Sequence, residues 1–196
     1  TQAIFEAGVS RVVVGTLDPD SKVSGSGVQH LRDAGLTVDV GVLEQEVKQQ
    51  LAAYLHHRAT GRPFVVLKMA STIDGRIAAA DGSSKWITGE TARKRVHQLR
   101  AESDAIVVGA GTVRADDPSL TVRDADGPSP RRIVLGTIDA SAKVHPCTQW
   151  TGTLPDLLDT LGKEGVVQLL VEGGARVAAS FHRERLINQY IMHIAP

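Results

Sequence analysis

Two short glycine-rich turns are the first features of this sequence that could do chemistry. Val108-Gly109-Ala110-Gly111-Thr112 and Val171-Glu172-Gly173-Gly174-Ala175 each follow an apolar run and precede a helical pattern. Glycine lets a backbone approach a ligand closely. A helix N-terminus then presents free N–H groups and the positive end of its dipole to a phosphate. Taken singly, each turn reads as an ordinary strand-to-helix connection; the pair together could cradle a dinucleotide. Neither is a standard dinucleotide fingerprint, because Arg114 stands where the third glycine would be, and no Walker lysine follows.

Between and before these turns lie side chains that could serve such a ligand. Lys68 directly follows an apolar run, where a charge is costly unless it is paired or functional. Trp86, one of two tryptophans, sits between a polar turn and a helix start, where it could anchor a domain edge or stack on a ligand. Asp116 and Asp117 precede Pro118, as helix-end charges, turn formers or ligand contacts. Arg100 and Arg123 are single arginines, for which a solvated surface is the ordinary place. Seven histidines are scattered, and the adjacent pair His56 and His57 would point about 100° apart on a helix. No HExxH and no Cys/His set with zinc spacing occurs, so no metal site is expected within this chain.

Composition narrows the partners. With 22 basic and 22 acidic residues the formal net charge is zero. That excludes general attraction to nucleic acid or to an anionic membrane. No apolar run has the length of a membrane span, and no signal peptide opens the chain. Cys147 is the single cysteine, which rules out an internal disulfide and fits a reducing, cytoplasmic compartment. The chain starts at Thr1 without Met, in what reads as the end of a helix, so it is expected to begin inside a domain.

The elements that must position these residues alternate along the chain. Residues 1–7 read as a helix end, 11–14 as a β-branched strand, 26–34 as a helix and 36–40 as a strand. Residues 43–57 read as one helix with Leu43, Val47, Leu51 and Leu55 on its apolar side. Thr60-Gly61-Arg62-Pro63 is the expected domain boundary, dividing residues 1–60 from 61–196. A second series follows, with strands at 64–69, 76–80, 105–108, 132–135, 166–171 and 190–194. Helices are expected at 88–102, with Thr88 as N-cap, and at 154–161 and 175–185. This alternation predicts an α/β fold with mainly parallel sheets and crossover helices.

Several segments occur in a specific order: Leu67 to Arg76, Trp86-Ile87-Thr88, Gly109 to Thr112, Ala115 to Pro118, Leu120 to Arg123, and Val171 to Gly174. Together they resemble the reductase domain of the bifunctional riboflavin-biosynthesis deaminase/reductase family. Upstream, Ala7-Gly8-Val9, Asp18-Pro19, Gly41 to Glu44 and Thr60 to Pro63 resemble the end of that family's deaminase domain. The resemblance spans essentially the whole chain.

It implies the C-terminal part of a cytidine-deaminase-like domain followed by a dihydrofolate-reductase-like domain. The implied activity is NADPH-dependent reduction of the ribosyl group of 5-amino-6-(5-phosphoribosylamino)uracil to ribityl. The family pattern makes Ala70, Trp86, Thr112, Asp116, Thr137 and the run Gly174, Ala175, Arg176, Val177, Ala178, Ala179 and Ser180 the expected NADPH contacts. It makes Ser84, Arg100, Leu120, Arg123 and Glu172 the expected substrate contacts. Arg100 and Arg123 would suit a ribose phosphate, which a guanidinium can grip with two donors. Lys68 would polarise the reacting sugar or orient Asp116, the two forming the expected catalytic pair. A homo-oligomer is implied as well.

The family's zinc ligands, a His-x-Glu segment and two cysteines, would precede Thr1, so this chain is not expected to deaminate. A loop and a strand are expected to be missing between Trp150 and Thr151. Two other readings stay open: a dihydrofolate-reductase-like paralogue acting on another pterin or pyrimidine, and an inactive remnant serving as a binding module. A substrate without phosphate would not need both arginines.

Overall fold

The computed structural model describes residues 1–20, 22–23, 25–78 and 89–195. The chain divides into two compact units, Thr1–Gly61 and Arg62–Pro196.

The first unit runs α1 (Gln2–Glu6), β1 (Arg11–Val14), α2 (Ser26–Asp33), β2 (Thr37–Val40), α3 (Glu44–Gln50) and α4 (Ala52–Thr60). β1 and β2 pair in parallel, Arg11 opposite Thr37 through Val14 opposite Val40. Arg11 also bridges to Asp39 at 2.7 Å on the exposed side. The single helix expected over 43–57 is instead two, broken at Leu51. Leu43 is left exposed outside the helix, as the N-cap of α3.

The second unit runs β3 (Phe64–Thr72), α5 (Glu90–Ala101), β4 (Ala105–Gly109), α6 (Ala110–Asp116), β5 (Arg131–Leu135), β6 (Thr148–Trp150), α7 (Leu154–Lys163), β7 (Gln168–Val171), α8 (Ala175–Arg183) and β8 (Gln189–Ala195). The strands form one sheet in the order β6-β5-β4-β7-β3-β8. Every pairing is parallel. The central strands read as unbroken apolar runs because helices cover both faces. Val65, Leu67, Val107, Leu169 and Val171 pack with α7 and α8 on one side. Val66, Ile106, Val108 and Leu170 pack with α5 and α6 on the other. The parallel α/β architecture expected from the alternation of elements is the one observed.

Three local expectations differ. Residues 76–78 form no strand: the chain turns after Thr72, whose N–H donates to the Arg76 carbonyl. Helix α5 is capped by Gly89, while Thr88, the expected cap, lies outside the described residues. Strand β6 was not expected, being short and polar; only its pairing with β5 at Ile133 to Leu135 makes it a strand. Residues 151–153 alone connect it to α7. The Trp150 indole N–H closes that connection on the Thr153 carbonyl at 3.0 Å. Thr153 then caps α7 by accepting from the Asp156 N–H.

Candidate active site

In an open parallel sheet a ligand crevice forms where neighbouring strands send their helices to opposite faces. β4 and β7 are such neighbours. α6 leaves β4 toward one face and α8 leaves β7 toward the other. The two glycine-rich turns therefore flank one crevice. They are joined across it by Gly174, whose N–H donates to Thr112 Oγ1 at 3.3 Å.

The glycines of these turns have different causes. A Cβ at Gly173 would lie 2.6 Å from Val177 Cβ, and one at Gly109 would lie 2.9 Å from Val177 Cγ2. Those two are glycine so that α8 can sit against the strand ends. A Cβ at Gly174 would meet only Thr112 Oγ1, at an ordinary 3.6 Å. Packing does not demand glycine there, and the bare backbone at Gly174 lies in the wall of an open groove. That groove has a volume of about 670 Å³, with Thr112, Thr137, Gly174, Ala175, Arg176 and Val177 among its walls. An inner cavity of about 210 Å³ continues from it toward Lys68, Ala70 and Glu172, sharing Ile77, Thr112, Asp116 and Gly174 with the groove.

A charged cluster forms the inner end. Arg100 donates from Nε and Nη2 to the two Glu172 carboxylate oxygens at 2.8 and 3.0 Å. Its Nη1 donates to the Thr121 carbonyl at 3.2 Å. The side chains of Arg100 and Glu172 are only 12% and 11% exposed. Lys68 Nζ stands 4.0 Å from the same carboxylate. Thus, among the described residues, the ion-pair partner of Lys68 is Glu172, while Asp116 lines the same cavity. The two-donor fork of Arg100 is likewise engaged by Glu172 rather than free for a phosphate. Arg123 differs: it is exposed, donates from Nη1 to Ser119 Oγ at 2.8 Å, and has no carboxylate partner among the described residues.

Other expected contacts separate by burial. Asp116 is exposed at the mouth of both cavities, whereas Asp117 is structural. Asp117 Oδ1 accepts from the Lys143 backbone N–H at 2.9 Å, and that bond, with the Lys143 ammonium, holds its carboxyl below the usual range. Leu120 is 3% exposed and packed in the core, so only its backbone can meet a substrate. Ala178 is buried on the α8 core face, and Ala179 lines neither cavity. Ser180 faces a separate cavity, its hydroxyl donating to the Arg176 carbonyl at 3.0 Å. Ser84 and Trp86 lie outside the described residues. Sequence reasoning missed Arg114, which walls the groove and donates to the Thr137 carbonyl at 3.3 Å, and Gly136, at φ +99 beside Ala110. A glycine closing the apolar run of β5 was the available signal for the latter.

Two histidines near the cluster are held below their ordinary pKa. Burial depresses His97, helped by the nearby Arg100 guanidinium, and burial depresses His193, helped by Lys68. Among the described residues no group of three or more His, Cys, Asp or Glu side chains could hold a metal ion. No described helix is long and apolar enough to cross a membrane.

Comparison with known proteins gives a consistent result. Residues 63–196 match the family described as the RibD C-terminal domain. The riboflavin biosynthesis protein RibD of Aquifex aeolicus is 38% identical, the match covering 100% of this chain and 64% of that protein. The solved structure of Acinetobacter baumannii RibD matches with a TM-score of 0.89 at 36% identity, covering 100% of this chain and 63% of that one. A diaminohydroxyphosphoribosylaminopyrimidine deaminase/5-amino-6-(5-phosphoribosylamino)uracil reductase from Thermotoga maritima matches with a TM-score of 0.82 at 36% identity, covering 93% and 59%. The chain spans about three-fifths of the length of these relatives.

Proposed function

Because the chain belongs, over residues 63–196, to the RibD C-terminal domain family, we propose that it performs the reductase step of riboflavin biosynthesis. The reaction is the NADPH-dependent reduction of the ribosyl group of 5-amino-6-(5-phosphoribosylamino)uracil to ribityl. The observation that carries this reading is the continuity of the two cavities. A groove with a bare Gly174 backbone opens directly onto a small chamber with Lys68 and Glu172 in its wall.

NADPH, when bound, supplies the hydride. Gly174, Thr112, Thr137 and Arg176 would hold its diphosphate-bearing length, and Ala70 would border the nicotinamide end. In the substrate the C1′–O4′ bond opens, C1′ takes the hydride and O4′ takes a proton. Lys68 presents an ammonium proton in the chamber, and Glu172 holds that ammonium and Arg100 in place. Asp116, exposed at the mouth, accepts from sugar hydroxyls. Arg123, with no carboxylate partner among the described residues, takes the phosphate. The chamber is small, which favours alignment of the reacting carbon with the bound nicotinamide.

A zinc ion of the deaminase type does not fit this chain, given its lack of a ligand cluster among the described residues and of a His-x-Glu and paired-cysteine set in the sequence. No step is assigned to it. We place the protein in the cytoplasm as a homo-oligomer; the lone Cys147, half-buried and with its thiol pKa raised by burial, suits a reducing compartment.

The test is NADPH oxidation followed in the presence of the pyrimidine. Arg123→Ala is expected to raise the substrate KM about tenfold while the NADPH KM stays within about twofold. Lys68→Met is expected to lower kcat about a hundredfold. No oxidation of NADPH with this substrate, or equal effects of Arg123→Ala on both KM values, would overturn the assignment.

A further inference from the structure

The segment that carries Arg123 has little backbone support from the described residues. Between Pro118 and Pro130 no amide or carbonyl pairs with another backbone group among them. Side chains hold it instead. The Val122 N–H donates to Ser129 Oγ at 3.0 Å within the loop. Two residues of α5, one turn apart, grip it from the body of the domain. Arg100 Nη1 donates to the Thr121 carbonyl at 3.2 Å, and His97 Nδ1 accepts from the Arg123 backbone N–H at 3.2 Å.

His97 is 6% exposed. Because Nδ1 accepts, the ring proton must sit on Nε2, which lies 3.4 Å from Asp124 Oδ2. Only the neutral ring in that tautomer can hold the loop, since a protonated imidazole has two donors and no acceptor. The charged groups around it are Arg100 on its own helix, Arg123 and Asp124 on the loop, and Glu172 after β7. Burial is the largest influence and lowers the ring's pKa, which favours the neutral form.

We propose that His97 is a positioning residue: by accepting from the Arg123 backbone it fixes the loop so that the Arg123 guanidinium meets the substrate phosphate. This rests on the reading of Arg123 as the phosphate ligand. It adds a residue that touches no ligand and a dependence on pH that Arg123 itself cannot have.

Ribose 5-phosphate binding to the full chain tests it without requiring turnover. His97→Leu, which keeps bulk but removes the acceptor, is expected to weaken binding about tenfold, or 1.4 kcal/mol. The double variant with Arg123→Ala is expected to bind no more weakly than Arg123→Ala alone, because His97 acts through that residue. His97→Asn restores an acceptor near the Nδ1 position and is expected to stay within about threefold of the native chain. On acidification the native chain should lose affinity faster than His97→Asn, the phosphate's own titration being common to both.

Native-like binding by His97→Leu overturns the proposal, and so does a full additional loss in the double variant or an identical acid profile for His97→Asn. Should His97→Leu fail to fold, the acid profile of His97→Asn decides alone. A native chain that binds ribose 5-phosphate yet does not reduce the pyrimidine overturns the proposed reaction and leaves the role of His97 standing. A native chain that does not bind ribose 5-phosphate overturns both.

Discussion

Gly173 and Gly174 are neighbours in sequence and glycine for unrelated reasons. At Gly173 an added methyl would run into Val177, 2.6 Å away, and α8 would have to move. Overpacking of this kind costs about 1–3 kcal/mol. At Gly174 the backbone is in an ordinary extended conformation and an added methyl has room. Gly173→Ala is therefore expected to lower Tm by several degrees, whereas Gly174→Ala should leave Tm unchanged and weaken NADPH binding about tenfold. Thermal melts paired with a cofactor titration separate the two. Unchanged NADPH affinity in Gly174→Ala would remove the dinucleotide from this turn. The sequence showed both glycines but could not sort them, since the distinction depends on a valine that folds back from the next helix. Lys68 was legible as an anomaly, a charge at the end of an apolar strand, but its partner Glu172 was not.

At the scale of elements, the pair Arg100–Glu172 ties α5 to the end of β7. Both side chains are nearly buried, so removing Arg100 leaves Glu172 only the longer 4.0 Å contact with Lys68. Arg100→Met is expected to destabilise the domain by about 3 kcal/mol, with part of that regained in the double variant Arg100→Met/Glu172→Gln. Urea unfolding at neutral pH measures both, and an unchanged midpoint in Arg100→Met would show the pair to be solvent-screened. The elements themselves were largely legible. β3, β4, β5 and β7 announce themselves as apolar runs because they are covered on two faces. β6 did not, because three residues with an exposed Gln149 carry no periodic signal. The break at Leu51 was equally silent, having neither glycine nor proline to mark it.

At the scale of the whole molecule, the depressed pKa values of His97 and His193 make stability depend on pH. In the unfolded chain a histidine protonates near pH 6.5. In the native chain both remain neutral to lower pH. As pH falls below about 6.5 the unfolded state therefore takes up protons first, and stability declines until the native pKa values are reached. Above that window these residues add no pH dependence. The urea midpoint is expected to fall as pH drops below about 6.5, and to fall less in His97→Asn. A flat midpoint over that range would mean that neither ring is held neutral.

The sequence by itself determined the alternation of strands and helices, the two glycine turns and, through an ordered set of motifs, the family. These are properties of neighbours along the chain, written in periodicity, turn residues and spacing. Tertiary structure alone decided that β4 lies beside β7, so that two turns become one crevice. It decided that Arg100 serves Glu172, 72 positions away, that Arg123 stays exposed, and that Leu120 and Ala178 turn inward. It also gave His97 its acceptor role. Each of these depends on which strands pair and which helix faces press together, and a linear string of residue types does not specify such long-range contacts one pair at a time.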